Sequence, residues 1–401
     1  MYSKKSLLIF KFTHMISFIL GLAPYSVEIL PRLSKKSGVS FRIIYSRLGC
    51  AYNILLALIF VGITVIVRPY LIDYQYPNDS VLTMIVATVT TLGNIFSIIL
   101  IVYYTHYQQH SVDISKQLSK FDEIFTSEFG NTFDNEKTNR FTNIDTWLPI
   151  FLISFLWCGA ITTSTYIQQS RTSIANIFSV LIMTSVVMQY GSVVDSLRRR
   201  LKNLNELLPS IFKCPISNIE SVHLVRIAAN NRLVNHNFTM FKKLRNKLYK
   251  ISCLVADFYS FPTLLTVVHS FCASITTFYF FIISIVQEKG MTVNAFYLNV
   301  IFWFFLCIYP TIRLSRSVRI FNKEMHKTAD IIYDVMEMYA PNGEIEYQLN
   351  NFAVEQIHKK VEFTACGFFS LDCTLLQSMF GAFVTYLLII LQFKPKDVMQ
   401  N

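Results

Sequence analysis

The sequence predicts an all-α, polytopic membrane protein with seven transmembrane helices, its N-terminus cytoplasmic and its C-terminus extracellular. Three observations carry this expectation. Apolar residues make up 53% of the 401 and charged residues only 15%, where a soluble domain holds about 25% charged. Seven runs of 20 or more residues lack Asp, Glu, Lys and Arg, at 48–67, 81–104, 146–170, 172–194, 258–287, 290–312 and 373–393. None alternates with the period of two that a membrane β-strand needs, so each reads as a helix of the length a hydrocarbon core of about 30 Å requires.

The composition excludes a disordered chain, and a mean hydropathy of +0.41 with 35 Phe and 21 Tyr excludes an ordinary soluble enzyme. Net charge is +11, and topology accounts for it. With the N-terminus inside, the segments 1–47, 105–145, 195–257 and 313–372 hold 31 of the 36 Lys and Arg, as the positive-inside rule demands. No nucleic-acid partner is needed. The lipid bilayer is the partner that the charge pattern implies, and Arg198, Arg199 and Arg200 after the fourth span are expected to anchor on its headgroups.

The organisation follows in order. Residues 1–47 form a cytoplasmic segment with a re-entrant or interfacial stretch at 12–27, which contains Gly21 and Pro24. Residues 48–312 hold six spans with cytoplasmic loops, of which 195–257 is a helical extension. Phe241, Leu244, Leu248, Ile251 and Val255 are spaced as an a/d seam that runs into the fifth span. The spacing recurs at Val318, Phe321, Met325, Thr328, Ile332, Val335 and Tyr339, within cytoplasmic anchor helices at 313–372. A further amphipathic stretch carries Leu349, Phe352, Ile357 and Val361. Periodicity leaves open whether these seams pack within one subunit or between subunits. The seventh span, 373–393, is followed by an extracellular tail at 394–401.

Chemistry is sparse. His106 and His110 stand one helical turn apart, a spacing metals use, but a single such pair reads as a polar helix end. There is no nucleophile elbow, zincin motif or phosphate loop, so no catalytic residue, metal site or cofactor is expected, and the chain does not read as an enzyme. His269 is the only ionisable group deep inside a span and is assigned a hydrogen-bonded structural role. Asp372 is an N-cap for the last span. Asn78-Asp79-Ser80 is a glycosylation sequon in the first outer loop. The eight cysteines all fall in spans or cytoplasmic segments, so no extracellular disulfide is expected. An inside N-terminus, no Asp-Arg-Tyr after the third span and no Asn-Pro-x-x-Tyr in the seventh weigh against a G-protein-coupled receptor.

The last span ends in Thr385-Tyr386, five apolar residues, then Gln392-Phe393. This resembles the C-terminal hallmark of insect gustatory receptors. The stretch from Phe363 to Asp372 and the run Gly21-Leu22-Ala23-Pro24 are similar to that family too. The resemblance implies a homotetrameric or heterotetrameric small-molecule-gated cation channel in the plasma membrane of sensory neurons, with other gustatory receptor subunits as partners and a tastant as ligand. It implies that the seventh span lines one shared pore and that the cytoplasmic helices hold the subunits together, which favours seams between subunits. Under that reading Ala382, Tyr386, Ile389, Ile390, Gln392 and Phe393 form the pore and gate, an apolar face able to close by dewetting. The ligand pocket is implied in the outer half of the first six spans, where Thr88, Thr163, Tyr166, Asn176, Tyr279 and Trp303 offer aromatic walls with a few polar groups. The sugar-receptor branch typically has Glu after the Thr-Tyr pair, and this chain has Leu387, which leaves bitter-type, fructose-type or broader chemosensory ligands. The alternative functions are a metabotropic seven-span receptor and an odorant-receptor-type channel.

Overall fold

The computed structural model describes the chain apart from residues 1–3, 31–39, 75–79, 131–134, 167–169, 213–222, 287–292, 340–342 and 393–401, and some side chains next to these segments. The elements run α1 (Lys4–Ile19), β1 (Tyr25–Leu30), β2 (Ser40–Tyr45), α2 (Arg47–Tyr74), α3 (Ser80–His106), α4 (Gln108–Phe129), α5 (Asn135–Tyr166), α6 (Ser170–Phe212), α7 (His223–Val286), α8 (Val293–Tyr339), α9 (Gly343–His358), β3 (Thr364–Ala365), β4 (Phe369–Ser370) and α10 (Cys373–Gln392). Six of them, α2, α3, α5, α6, α7 and α8, are long and apolar enough by length and composition to cross a membrane, and α10 adds a seventh, shorter apolar helix. Over the described residues, every charge-free run thus lies on helix. The outer surface of these spans is apolar, as a lipid-facing surface must be: Leu58, Val65, Met84 and Phe151 are among the most exposed side chains.

The long helices α6, α7 and α8 continue past their apolar runs into a second, polar-surfaced layer. There the core is built as in a soluble bundle. Leu197, Leu201, Leu204 and Leu208 on α6 meet Phe241, Leu244, Leu248 and Ile251 on α7 and Val318, Phe321, Ile332 and Val335 on α8. Each fully buried Leu or Phe in this layer contributes about 2 kcal/mol by leaving water. The two a/d seams, but for Tyr339, whose side chain lies outside the described ones, are therefore filled within the chain itself, which corrects the expectation that they join subunits. A second correction concerns α9. Its buried face is Ile345, Leu349, Phe352, Ala353 and Gln356, while Ile357 is exposed. The helix continues its 3.6-residue phase, so the inward position falls on 356 and Ile357 turns about 100° away.

Inside the membrane layer apolar burial gives no drive against lipid, and small residues and hydrogen bonds do the packing. Gly159 lies against Phe302, so close that a Cβ would come within 2.5 Å of its ring. Gly93 meets His269 in the same way, and Ser179 donates to Asn94 between α6 and α3. His269 is thus a packed residue. Pro262 in α7 and Pro310 in α8 stand close to the ends of their charge-free runs that adjoin the polar layer.

Two hairpins were not foreseen. β1 and β2 pair antiparallel with Tyr25 opposite Tyr45. They follow a turn in which Gly21 takes φ +75° and Leu22 and Ala23 are fully buried. The turn is locked by Asn53, whose Nδ2 donates to the Gly21 carbonyl at 2.8 Å, and by Gln108, which donates to the Pro24 carbonyl. Gly49 is required here, since a Cβ would lie 2.2 Å from the Pro24 oxygen. The smaller hairpin, β3 with β4, precedes α10.

Arg200 corrects its expected headgroup role. It pairs bidentately with Asp122 of α4, Nε to Oδ1 at 2.8 Å and Nη2 to Oδ2 at 2.7 Å. His106 ends α3 and His110 belongs to α4, so a break at Tyr107 separates the two imidazoles. Among the described residues no group of His, Cys, Asp and Glu could hold a metal.

Candidate ligand cluster and terminal helix

One polar cluster sits between α5 and α8, at the end of the bundle remote from the polar layer. Asn299 is 6% exposed, and its Oδ1 accepts from Thr163 Oγ1 and Ser164 Oγ, each at 3.0 Å. Trp303, one turn along α8, donates its indole N–H to Ser164 Oγ at 3.3 Å and meets Trp157 edge-on at 6.0 Å between ring centroids. With its carbonyl committed, Asn299 keeps its amide N–H groups without a hydrogen-bond partner among the described residues. Two indoles beside a free amide donor suit an aromatic ligand that carries a hydrogen-bond acceptor.

Of the residues expected in a ligand pocket, the structure brings Thr163 and Trp303 together. Thr88 is exposed and bonds back to its own helix at Met84, 2.7 Å away. Tyr279 is buried on α7 at 2% exposure. The side chains of Tyr166 and Asn176 lie outside the described ones, and so does Asn78. Asn299, Ser164 and Trp157 were not singled out from the sequence. Asn299 is one amide in a charge-free run, a signal that was present but unweighted.

The terminal helix α10 has two unlike faces. On one side Phe383 packs on Phe278 at 5.3 Å and Phe304 at 6.1 Å, Tyr386 meets Phe271 at 6.1 Å, and Leu375 and Leu387 are buried. On the other side Gln377, Gly381, Val384, Leu388 and Gln392 recur at steps of three and four and are exposed. Ala382, half-buried, and Tyr386, 52% exposed, stand at the border with the packed side, and Ile389 is 40% exposed. Thr385 is exposed and bonds back to the Gly381 carbonyl at 3.1 Å. The Ile390 side chain and Phe393 lie outside the described residues. The helix opens on Asp372, whose Oδ1 accepts the Thr374 N–H at 2.8 Å in the expected N-cap. Hydrogen bonding by the Thr374 hydroxyl, above all, holds the Asp372 carboxyl below the usual aspartate range.

A family model for the 7tm chemosensory receptors matches residues 10–397. The chain belongs to the 7tm chemosensory receptor family. Membership makes it a multi-pass membrane chemosensory receptor, and not an enzyme. It is 31% identical over 159 residues to the gustatory and pheromone receptor 32a of Drosophila melanogaster, an alignment covering 39% of this chain and 33% of that one. It is 23% identical over 242 residues to the putative gustatory receptor 28a of the same organism, covering 52% and 53%. The chain thus spans from a third to about half of the length of these relatives. This chemosensory receptor also shares its fold with the insect olfactory receptor OR5 from Machilis hrabei, at a TM-score of 0.63 and 13% identity, covering 96% of this chain and 98% of that one. The same olfactory receptor in complex with eugenol superposes at a TM-score of 0.65 and 14% identity, covering 96% and 97%.

Proposed function

We propose that this chemosensory receptor is a taste receptor that acts as a small-molecule-gated cation channel, assembled as a homotetramer or a heterotetramer with other gustatory subunits in the plasma membrane of sensory neurons. The single observation that carries the channel reading is the two-faced terminal helix. A 20-residue apolar helix that binds its own bundle by one side leaves a continuous stripe uncovered, with glutamine at both ends of it, Gln377 and Gln392. Four such stripes around an axis would make an apolar constriction flanked by carboxamides that can replace part of an ion's hydration. Gln392 and Phe393, with Tyr386, Ile389, Ile390 and Ala382 beside them, are the gate region.

The N-terminus and the polar layer face the cytosol, in keeping with the basic residues that crowd that side. Since the seams are filled internally, subunits would meet there through other apolar side chains, such as Tyr333, Tyr347 and Val354, each more than 40% exposed. The ligand is a small organic molecule, aromatic and bearing a hydrogen-bond acceptor, bound beside Asn299 and Trp303. The olfactory receptor of similar fold is seen with eugenol, a molecule of that general class.

The test is expression of the chain alone in cells without receptor-coupling G proteins, with current recording during a screen of small aromatic and alkaloid ligands. Ligand-evoked cation current is expected, and the Gln392→Ala, Phe393→Ala double variant is expected to leak or to shift its gating. A second-messenger response that appears only once G proteins are supplied, with no current of its own, would replace the channel by the metabotropic reading.

A further inference from the structure

Between α8, α9 and the segment that leads into α10 lies a cavity of about 350 Å³. Its wall includes Asn322, Met325, His326, Gln356, Lys360 and Glu362. Gln356 is 3% exposed, and neither its Nε2 nor its Oε1 has a hydrogen-bond partner among the described residues. A buried carboxamide left unmatched on both atoms is costly, and it marks the cavity as a place where a polar group belongs.

A second, independent anomaly stands behind Met325. Arg245 of α7 is fully buried, and its Nη2 touches the Met325 sulfur at 3.0 Å. Its Nε and Nη1 have no hydrogen-bond partner among the described residues. A thioether is a weak acceptor, so this guanidinium is a buried cation with no counter-charge among the described residues. The other charges of the neighbourhood are accounted for. Lys359 bonds Asn246 of α7 at 2.7 Å and pairs with Glu355. Asp372 is taken up by Thr374, and Glu362 and Lys360 are exposed. His326 is exposed as well.

We propose that this cavity binds a phosphate-type oxyanion, held by Lys360, His326 and the amide N–H of Gln356, and by Arg245 once the Met325 side chain turns aside. Methionine is unbranched and changes rotamer readily, so it can serve as a movable partition. A guanidinium presents two parallel N–H groups that match a tetrahedral oxyanion. The oxyanion is either free phosphate or the phosphorylated headgroup of a lipid, since the same wall continues into the helix that enters the membrane. The site does not depend on whether α10 lines a pore.

The test is thermal unfolding of the full chain in phosphatidylcholine nanodiscs, which reads binding without any current. One arm adds inorganic phosphate, with potassium chloride at equal ionic strength as control. The other places phosphatidylinositol 4,5-bisphosphate in the nanodisc. In at least one arm a rise of Tm by about 3 °C is expected at ten times the dissociation constant, growing with the logarithm of concentration above it. The responding arm names the source. Lys360→Gln, an exposed change that spares the fold, is expected to raise the concentration that gives the same shift at least about threefold, and Arg245→Gln to abolish the shift. No shift in either arm overturns the proposal, and so does a shift that survives unchanged in Lys360→Gln, even if Arg245→Gln fails to fold.

Discussion

The Tyr103 hydroxyl on α3 donates to the Phe258 carbonyl on α7 at 2.8 Å. That carbonyl lies four residues before Pro262, which has no N–H to give it. One helix therefore supplies the hydrogen bond that the proline removes from its neighbour. Tyr103→Phe keeps the ring, whose centroid is 5.8 Å from Phe258 and 5.5 Å from Phe261, and deletes only the donor. A loss of about 1–2 kcal/mol is expected, read as a lower Tm in detergent. An unchanged Tm would mean that the carbonyl finds another donor.

Gly93 lets α3 approach α7 at His269, where a Cβ would stand 2.5 Å from Nε2. Gly93→Ala is expected to destabilise by about 1–3 kcal/mol through overpacking and to reduce surface expression. Adding His269→Ala should recover part of that loss, because it removes the clashing ring. A double variant no better than the glycine variant would place the cost elsewhere.

Arg313 on α8 reaches Asp195 on α6 at 3.3 Å and also donates to the Met188 carbonyl at 3.1 Å. Both side chains are largely shielded, at 10% and 18% exposure. Removing one member of such a pair strands the other. Asp195→Ala is expected to cost about 3 kcal/mol, and the Asp195→Ala, Arg313→Met double variant less than that. Equal losses in chemical denaturation would show that the stranded arginine carries no penalty of its own.

The Asp372 cap gives a dependence on pH whose sign is determined. Its carboxyl is held below the usual aspartate range, first by the Thr374 hydroxyl. The folded state thus favours the charged form, and the stabilisation is present above an unfolded value of about 3.9 and is lost as pH falls through the lower folded value. Asp372→Ala is expected to cost about 1 kcal/mol near neutral pH. The gap between variant and wild type in thermal melts should narrow on acidification toward about pH 3. A gap that stays constant would mean the carboxylate charge is not what caps α10.

Asn299→Leu removes the acceptor shared by Thr163 and Ser164 and the amide N–H offered to a ligand. For a ligand with a single acceptor, about a tenfold rise in the half-maximal concentration is expected, with surface expression measured alongside. Unchanged dose–response curves would move the ligand away from this cluster.

The spans were legible because the membrane forbids charge over a fixed length, and every such run became a helix. The buried seams of α7 and α8 were legible because a helix repeats. What covers a seam was not, since periodicity marks an apolar face without naming its partner, and here the partner is the same chain. Gln356 takes the inward place expected of Ile357 because composition favoured the isoleucine while the helical phase favoured the glutamine. The β1–β2 hairpin escaped notice although Tyr25, Val27 and Ile29 alternate with Ser26 and Glu28, and Glu28 pairs with Arg42 across it; so short an alternation beside a longer apolar run is a weak signal for a strand. Asn299 and Thr163 lie 136 positions apart, and only the packing of α5 on α8 makes them neighbours.

The 64 residues of α7 form one unbroken helix from the polar layer through the bundle, a rod of about 96 Å at 1.5 Å per residue. Rods of that length act as lever arms. A tilt of about 2° at one tip carries the opposite tip through about 3 Å, the width of a side-chain contact. With α8 running beside it, and a proline in each, at 262 and 310, where the ladder lacks a rung, a modest rearrangement at one extremity has a mechanical route to the other without any segment unfolding.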